Sequence, residues 1–271
     1  MTRIAVLQMT SGIDPAGNAR AIVGRLEAAA RDGAAMLFTP EMSGLIDRDR
    51  KRAAASIVAE QDDRVLAAVR EAAARTGVWT VLGSLAVARE DGRWANRSFV
   101  IDASGGIAAR YDKIHMFDVD LASGESWRES NAYAAGDTVV TVPTPAGRLG
   151  LAVCYDVRFP ALFEALGRAG CDLISIPAAF TVPTGKAHWH LLQRARAVEA
   201  SAYVVSAAQV GRHEDGRSTY GHSLVVDPWG EVLLDLGGDG AGLGFAEIDP
   251  ARIAEVRAQL PSLANRRNIS T

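Results

Sequence analysis

The sequence predicts an α/β or layered α+β fold. Short apolar runs rich in β-branched residues alternate with Ala-rich amphipathic segments along the whole chain, which is the pattern of strands exchanged with helices. Apolar residues make up 48% of the 271 residues and charged residues 23%, so enough apolar surface exists to offset the entropy lost on folding. Because no linker, repeat or low-complexity segment interrupts the pattern, we predict a single domain over residues 1–271.

The predicted strands are the short apolar runs that turn residues bound on either side. In chain order they are Ile4–Gln8, Ala35–Thr39, Trp79–Gly83, Ser98–Ile101, Ile107–Tyr111, Val139–Val142, Leu149–Val153, Leu173–Ile176, Tyr203–Ala207, Ser223–Val226, Glu231–Asp235 and Gly244–Ile248. Turn residues at Ala103–Gly106 and Asp227–Gly230 predict two hairpins. The Gly-rich run Gly237–Gly244 lacks the spacing of a dinucleotide-binding loop, so we interpret it as a mobile hairpin loop between two strands.

The predicted helices are the Ala-rich segments with amphipathic periodicity. They are Gly17–Asp32, Asp63–Thr76, Ala161–Ala169, Lys186–Ser201 and Pro250–Gln259. The last begins with a proline, whose missing N–H costs nothing in the first helical turn.

Charge and cysteine content exclude several classes of protein. The net charge is only −3 and the basic residues are scattered, so the basic surface that nucleic-acid binding requires is not expected, and a small neutral or acidic substrate fits better. The two cysteines, Cys154 and Cys171, are too few for a disulfide framework and form no Cys-x-x-Cys pair, which is typical of a reducing compartment. The apolar positions in Met1–Met9 are too few for a secretory signal or a membrane span. We therefore expect a cytoplasmic protein with no membrane partner.

Three reactive side chains each follow directly after a predicted strand. Glu41 comes after a run that Pro40 ends, Lys113 follows the strand that ends at Tyr111, and Cys154 follows the strand that ends at Val153. Functional groups collect at such strand ends. A nucleophile on a turn between a strand and a helix is exposed beside free backbone N–H groups.

With its flanking motifs, this ordered set resembles the nitrilase, or carbon–nitrogen hydrolase, superfamily, whose catalytic residues are a Glu, a Lys and a Cys in that chain order. The motifs look most like the Nit branch, which contains the deaminated glutathione amidases and the omega-amidases. They are Arg110–Asp118, Leu151–Pro160, Thr184–Trp189, Gln193–Ala197, Ala207–His213, Tyr220–Ser223 and Val226–Gly230. The resemblance covers nearly the whole chain. It implies a four-layer α-β-β-α sandwich and assembly into a homodimer or a larger homo-oligomer.

The resemblance also implies the role of each catalytic residue. Cys154 would be the nucleophile, Glu41 the base that takes the thiol proton, and Lys113, with the backbone N–H of Tyr155, the partner of the oxyanion. A second carboxylate that orients the lysine is expected at Glu129, with Glu125 as the alternative. For substrate binding, the resemblance implies that Arg158 receives a carboxylate and that Phe180 forms part of the pocket wall.

Each of these residues also has a structural interpretation. An isolated cysteine after a strand is more often part of the core, a lysine is usually solvated, and an acid after Thr-Pro could simply cap a turn. Only the ordered combination favours catalysis. Cys171 has no comparable neighbours and is expected to be a small buried residue without chemistry. His188 and His190 lie two positions apart on a predicted helix and cannot share a face, so no metal site is predicted.

These observations predict an enzyme, an amidase that acts on a small-molecule amide through a cysteinyl thioester and needs no cofactor. The preferred substrate is deaminated glutathione. An omega-amidase that acts on 2-oxoglutaramate is the alternative, and nitrile hydrolysis fits less well. In a different class, a non-catalytic binding protein or a redox sensor would also explain a single reactive thiol.

Overall fold

In the computed structural model, the described residues are 1–122, 124 and 126–267, and they form sixteen strands and six α-helices. The strands are β1 (Thr2–Gln8), β2 (Met36–Phe38), β3 (Trp79–Ala88), β4 (Trp94–Ile101), β5 (Ile107–Asp112), β6 (Asp118–Asp120), β7 (Ser126–Arg128), β8 (Thr141–Thr144), β9 (Gly147–Leu151), β10 (Leu173–Ser175), β11 (Tyr203–Ser206), β12 (Val210–Arg212), β13 (Ser218–Tyr220), β14 (Leu224–Val226), β15 (Val232–Asp235) and β16 (Gly242–Ile248). The helices are α1 (Pro15–Arg31), α2 (Arg50–Ala54), α3 (Arg64–Thr76), α4 (Pro160–Arg168), α5 (Val182–Ala200) and α6 (Pro250–Gln259).

Twelve of the strands form two six-stranded mixed sheets. The first sheet has the order β16-β1-β2-β3-β4-β5 and the second β15-β14-β11-β10-β9-β8. In the first, β1, β2 and β3 are parallel, and in the second β9, β10 and β11 are parallel. Antiparallel strands complete both sheets at the edges.

The two sheets are held together by alternating side chains. On β1, Ile4 and Val6 belong to the core that includes the second sheet, whereas Ala5 and Leu7 pack with helices α1 and α3. This period of two is what a strand buried on both faces requires. Helices α4 and α5 contribute to the core of the second sheet. The predicted four-layer α-β-β-α sandwich is therefore confirmed.

Local signals explain where the helices begin and end. Asp14, Asp63 and Asp249 cap the N-termini of α1, α3 and α6, and each accepts at least one backbone N–H of the first turn. Gly77 ends α3 in the left-handed conformation, with φ of 72°, which glycine adopts without strain. In the described part of the chain, no helix combines the length and apolar character needed to cross a membrane.

Most predicted elements are present, and the corrections have simple causes. Helix α5 begins at Val182 rather than Lys186, because Pro183 is tolerated in the first turn. The hairpins at Ala103–Gly106 and Asp227–Gly230 are confirmed. The hairpin predicted at Gly237–Gly244 is wrong: β15 and β16 belong to different sheets, so this run crosses between the layers.

Candidate active site

A tight loop after β2 presents Glu41. The backbone N–H of Gly83 on β3 donates to Thr39 Oγ1 at 2.9 Å, and Ser84 Oγ accepts the N–H of Met42 at 2.9 Å. A Cβ on Gly83 would lie 2.0 Å from the Thr39 carbonyl oxygen and 2.4 Å from that of Pro40. Only glycine fits at this approach, so β3 and the loop fix Glu41, which is 5% exposed, at the end of the strand.

Lys113 lies just beyond the end of β5 and is buried, with an exposure of 2%. Its backbone is held on both sides, because its N–H donates to the Asn96 carbonyl and its carbonyl accepts the Gly136 N–H. Lys113 Nζ donates to Glu41 Oε1 at 3.0 Å and to Glu129 Oε2 at 2.8 Å. A lysine that would ordinarily be solvated is thus placed between two carboxylates.

Cys154 begins a short 3₁₀ helix, Cys154–Arg158, that leads directly into α4. Its φ is +49°, a left-handed conformation that a non-glycine residue rarely adopts. The Cys154 N–H donates to the Pro177 carbonyl at 2.8 Å, which anchors this turn to the loop after β10. The Glu41 carboxylate and the backbone N–H of Ala179 both act on the pKa of the thiol. The turn therefore places the sulfur in the electrostatic field of the predicted base.

Asn96 on β4, with an exposure of 0%, joins the two carboxylates. Its Nδ2 donates to Glu41 Oε1 at 2.9 Å and to Glu129 Oε1 at 3.0 Å. The backbone N–H of Ala179 donates to Glu41 Oε2, and that of Phe117 donates to Glu129 Oε2. Every carboxylate oxygen in this group thus faces hydrogen-bond donors, which holds both groups in one orientation.

The electrostatic environment sets the protonation states at rest. Burial opposes the charged form of Lys113, but the Glu129 and Glu41 carboxylates outweigh it and raise the pKa of this lysine well above its usual value. Burial and the Glu41 carboxylate raise the pKa of the Cys154 thiol well above its usual value. At neutral pH the lysine is therefore a cation and the cysteine a neutral thiol, so attack by the sulfur requires a base.

Asp156 connects the segment of Lys113 to that of Cys154. Its buried carboxylate accepts the Tyr111 hydroxyl at 2.7 Å, the His115 backbone N–H at 2.9 Å and the Val153 backbone N–H at 2.9 Å. Tyr111 and His115 flank Lys113 along the chain. The Asp156 side chain therefore fixes the position of Lys113 relative to Cys154.

The site opens into a cavity of about 640 Å³. Pockets for small molecules typically have volumes of roughly 300–1,000 Å³. Cys154, Glu41, Lys113 and Glu129 line it, as do Tyr155, Arg158 and Phe180. Apart from Glu41 and Glu129, the described lining residues include five arginines but only one acid, Asp47. The arginines are Arg48, Arg50, Arg128, Arg158 and Arg217. The cavity is therefore basic although the whole chain is acidic.

The residues predicted for substrate binding lie on one side of this cavity. The Arg158 guanidinium lies 5.5 Å from the centre of the Phe180 ring and 5.8 Å from that of Tyr155, and Nη1 is 3.3 Å from His188 Nδ1. Phe180 is buried and packs edge-on against Trp189. The alternative carboxylate, Glu125, lies outside the described residues.

Sequence reasoning missed Asn96, Asp156 and Gln209. Gln209 is fully buried, and its Nε2 donates to the Glu41 carbonyl at 3.0 Å and to Ser11 Oγ at 2.7 Å. The only available signal was a polar residue within or beside an apolar segment, and such a residue is usually exposed.

Within the described ranges, one group of side chains could hold a metal ion. Nitrogen atoms of His190 and His222 and a carboxylate oxygen of Asp235 lie within 4.8 Å of one another. His190 Nε2 and His222 Nδ1 both hydrogen-bond to Asp235, at 2.8 and 3.0 Å. None of the three lines the cavity.

Comparison with known proteins places this geometry in context. The family profile described as carbon–nitrogen hydrolase matches residues 3–258. A deaminated glutathione amidase from Yersinia enterocolitica is 40% identical, with 99% of this chain and 94% of that protein covered. The crystal structure of the Caenorhabditis elegans NitFhit protein is 38% identical with a TM-score of 0.91, and the alignment covers 98% of this chain and 65% of that longer one.

A more distant structure reports on the cysteine. An amidase from Nesterenkonia sp. AN1 is 28% identical with a TM-score of 0.81, and the alignment covers 96% of this chain and 98% of that one. In a mutant of that enzyme, acrylamide has undergone Michael addition at the active-site cysteine.

Proposed function

The chain belongs to the carbon–nitrogen hydrolase family, and from this premise we propose that it is an amidase in which Cys154, Glu41 and Lys113 cleave a carboxylate-bearing amide through a cysteinyl thioester. The observation that carries the proposal is that Cys154, Glu41 and Lys113 line one cavity, where the Glu41 carboxylate bonds Lys113 at 3.0 Å and raises the pKa of the Cys154 thiol. A neutral thiol with an adjacent carboxylate base can be deprotonated at the moment of attack.

Acylation then follows from these positions. Glu41 takes the thiol proton as the sulfur attacks the amide carbon, and the carbonyl oxygen gains negative charge. Lys113 and the Tyr155 backbone N–H stabilise this oxyanion, and each such donor contributes roughly 3–4 kcal/mol. Glu41 returns the proton to the nitrogen as the C–N bond breaks, which leaves the thioester and a free amine.

Hydrolysis of the thioester uses the same groups a second time. Glu41 takes a proton from water, the hydroxide attacks the thioester carbon, and the proton passes to the departing Cys154 sulfur. Lys113 keeps its positive charge through both halves because the Glu129 carboxylate stays ionised beside it and holds its pKa high, even while Glu41 carries the proton. Glu129 has no proton to transfer in this scheme. Its role is to orient the lysine.

For the substrate, we propose deaminated glutathione, which is glutathione with a 2-oxo group in place of the α-amino group. Two features support this choice. The cavity of about 640 Å³ is larger than a five-carbon amide requires, and its wall carries the five arginines. Arg158 is proposed to bind the carboxylate of the 2-oxo acid half, because a guanidinium can form two parallel hydrogen bonds to a carboxylate.

The test is a kinetic comparison of deaminated glutathione, 2-oxoglutaramate, a neutral short-chain amide and a nitrile, with Cys154→Ala as the blank. We expect the highest kcat/KM for deaminated glutathione. A higher value for 2-oxoglutaramate would make the protein an omega-amidase. Folded protein that hydrolyses no amide would refute the catalytic proposal and favour a binding or redox role.

We also propose that the protein forms a homodimer or larger homo-oligomer. Exposed apolar side chains from α5, the β14–β15 turn and the end of α6 line one shallow cleft: Val198 is 39% exposed, Trp229 50% and Leu260 50%. Exposed apolar groups that lie together on one region are typical of subunit contacts. Light scattering of the purified protein tests this, and a monomeric mass at micromolar concentration would exclude it.

A further inference from the structure

A second cationic group lies on the cavity wall, apart from Arg158. Arg48 and Arg217 both place their guanidinium groups over the ring of Trp127, at 5.6 and 4.9 Å from its centre. All three residues line the cavity. Stacking on an aromatic ring stabilises a guanidinium and fixes its direction. Two guanidinium groups therefore lie beside one ring, and among the described residues only that of Arg217 is paired with a carboxylate, from Asp215.

Two described acids lie near this group, and both are engaged. Asp47 is paired with Arg52, at 2.6 Å and 2.8 Å. Asp215 accepts the Nε–H of Arg217 at 2.7 Å and its backbone N–H at 3.0 Å. These bonds leave the two Nη atoms of Arg217 for a ligand, because no described residue accepts from them. Among the described residues, Arg48 has no carboxylate partner, so its charge and the Nη atoms of Arg217 are available to an anion in the cavity.

A row of aromatic rings connects the two cationic ends. The Trp127 ring lies 6.4 Å from that of Phe117, which lies 5.1 Å from that of Tyr155, over which Arg158 is placed. The Phe117 backbone N–H bonds the Glu129 carboxylate at 2.7 Å, so the middle of the row lies beside the catalytic group. The catalytic centre is therefore flanked by cations on two sides.

Deaminated glutathione carries its charges in the matching arrangement. One carboxylate belongs to the 2-oxo acid half of the scissile amide and the other to the glycine that ends the leaving amine. We propose that Arg48, Arg217 and Trp127 form the subsite for the leaving-group carboxylate, so that the enzyme selects amides whose amine half is a short acidic peptide. This inference rests on the proposed function and adds to it the part of the substrate that 2-oxoglutaramate lacks.

The experiment uses two substrates with the same acyl half. One is deaminated glutathione, and the other is its analogue in which ethylamine replaces the terminal glycine, so that a methyl group stands in place of the carboxylate. Both release 2-oxoglutarate, which is measured by the same coupled assay. The quantity of interest is the ratio of kcat/KM for the acid over the analogue. Because both substrates are measured on one preparation, this ratio does not depend on the fraction of folded enzyme.

We expect wild-type enzyme to prefer the acid, and Arg48→Gln to lower the ratio about tenfold or more, since a charge-assisted hydrogen bond is lost. Arg217→Lys, which keeps the charge near Asp215, should lower it less. Arg158→Lys should reduce turnover of both substrates together, because the acyl half is shared. Arg20→Gln is the matched control, since Arg20 is an exposed arginine of α1 outside the cavity.

The outcomes separate the two proposals. If wild-type enzyme hydrolyses neither compound, the proposed function fails, and this inference with it. If it hydrolyses both with equal kcat/KM, the function stands and the subsite is refuted. A preference for the acid that survives in both Arg48→Gln and Arg217→Lys would also refute the subsite, because the carboxylate would then be held elsewhere.

Discussion

Replacing Glu129 with Gln tests whether this carboxylate acts in the catalytic group. Each of its oxygens faces donors only: Oε1 accepts from Lys113 at 3.1 Å and Asn96 at 3.0 Å, and Oε2 accepts from Lys113 at 2.8 Å and Phe117 at 2.7 Å. Whichever way the glutamine amide turns, its NH₂ group meets two donors. At least one charge-assisted hydrogen bond is therefore lost. The neutral amide also removes one of the two negative charges that face Lys113.

The expected cost follows from these contacts. A hydrogen bond to a charged group contributes about 1.5–3 kcal/mol, which is roughly one to two powers of ten in rate if it is lost in the transition state. We expect kcat of Glu129→Gln to fall by about 10- to 100-fold with a small change in KM, measured as steady-state release of 2-oxoglutarate. Glu164→Gln, which breaks an exposed pair with Arg168, is the control and should have no effect. A kcat of Glu129→Gln within twofold of wild type would show that Lys113 is oriented by other groups.

Four further outcomes follow from the site. Cys154→Ala should abolish turnover but leave the thermal unfolding midpoint nearly unchanged, because the substitution removes little volume. Activity at the wild-type level would exclude a thioester on Cys154. Glu41→Gln should lose both acylation and thioester hydrolysis in single-turnover experiments, and a normal kcat would mean that another group is the base. Lys113→Met should lower kcat by about 10²–10³ with a modest change in KM. An unchanged kcat would show that backbone N–H groups alone stabilise the oxyanion. Acrylamide should modify Cys154 well before Cys171, because Cys154 lines the cavity beside Glu41 whereas Cys171 is fully buried. Peptide mass spectrometry would detect the difference, and equal slow labelling of both would contradict an accessible nucleophile.

The elements that could be predicted are those whose apolar pattern is local. Strands such as β1 and β10 lie in continuous apolar runs, so length and flanking turns sufficed to identify them. The short strands β6, β7, β12 and β13 carry polar residues. They form two separate two-stranded ladders, β6 with β7 and β12 with β13, so they show no comparable apolar pattern. Helix α2, with the sequence RKRAA, is likewise too short and too polar to show amphipathic periodicity.

The polar residues that organise the site could not be predicted for a different reason. Asn96 and Asp156 are buried because their partners come from distant segments: Asn96 bonds Glu41, 55 positions away, and Asp156 bonds Tyr111, 45 positions away. A buried polar group is stable only when such partners exist, and nothing near Asn96 or Asp156 in the sequence reveals them. Resemblance to a family predicted Glu41, Lys113 and Cys154 as the reacting residues, whereas the residues that hold them in place emerged only from the fold.

Composition likewise predicted the charge of the substrate only loosely. A net charge of −3 was compatible with a neutral or an acidic ligand. The fold favours an acidic ligand, because it brings Arg48, Arg158 and Arg217 from three separated segments to the lining of one cavity. Inside a cavity a few cations focus the field on the bound ligand, while the acidic groups on the outer surface are screened by solvent. The local arrangement of charge, rather than its sum over the chain, therefore determines which amides this protein can bind.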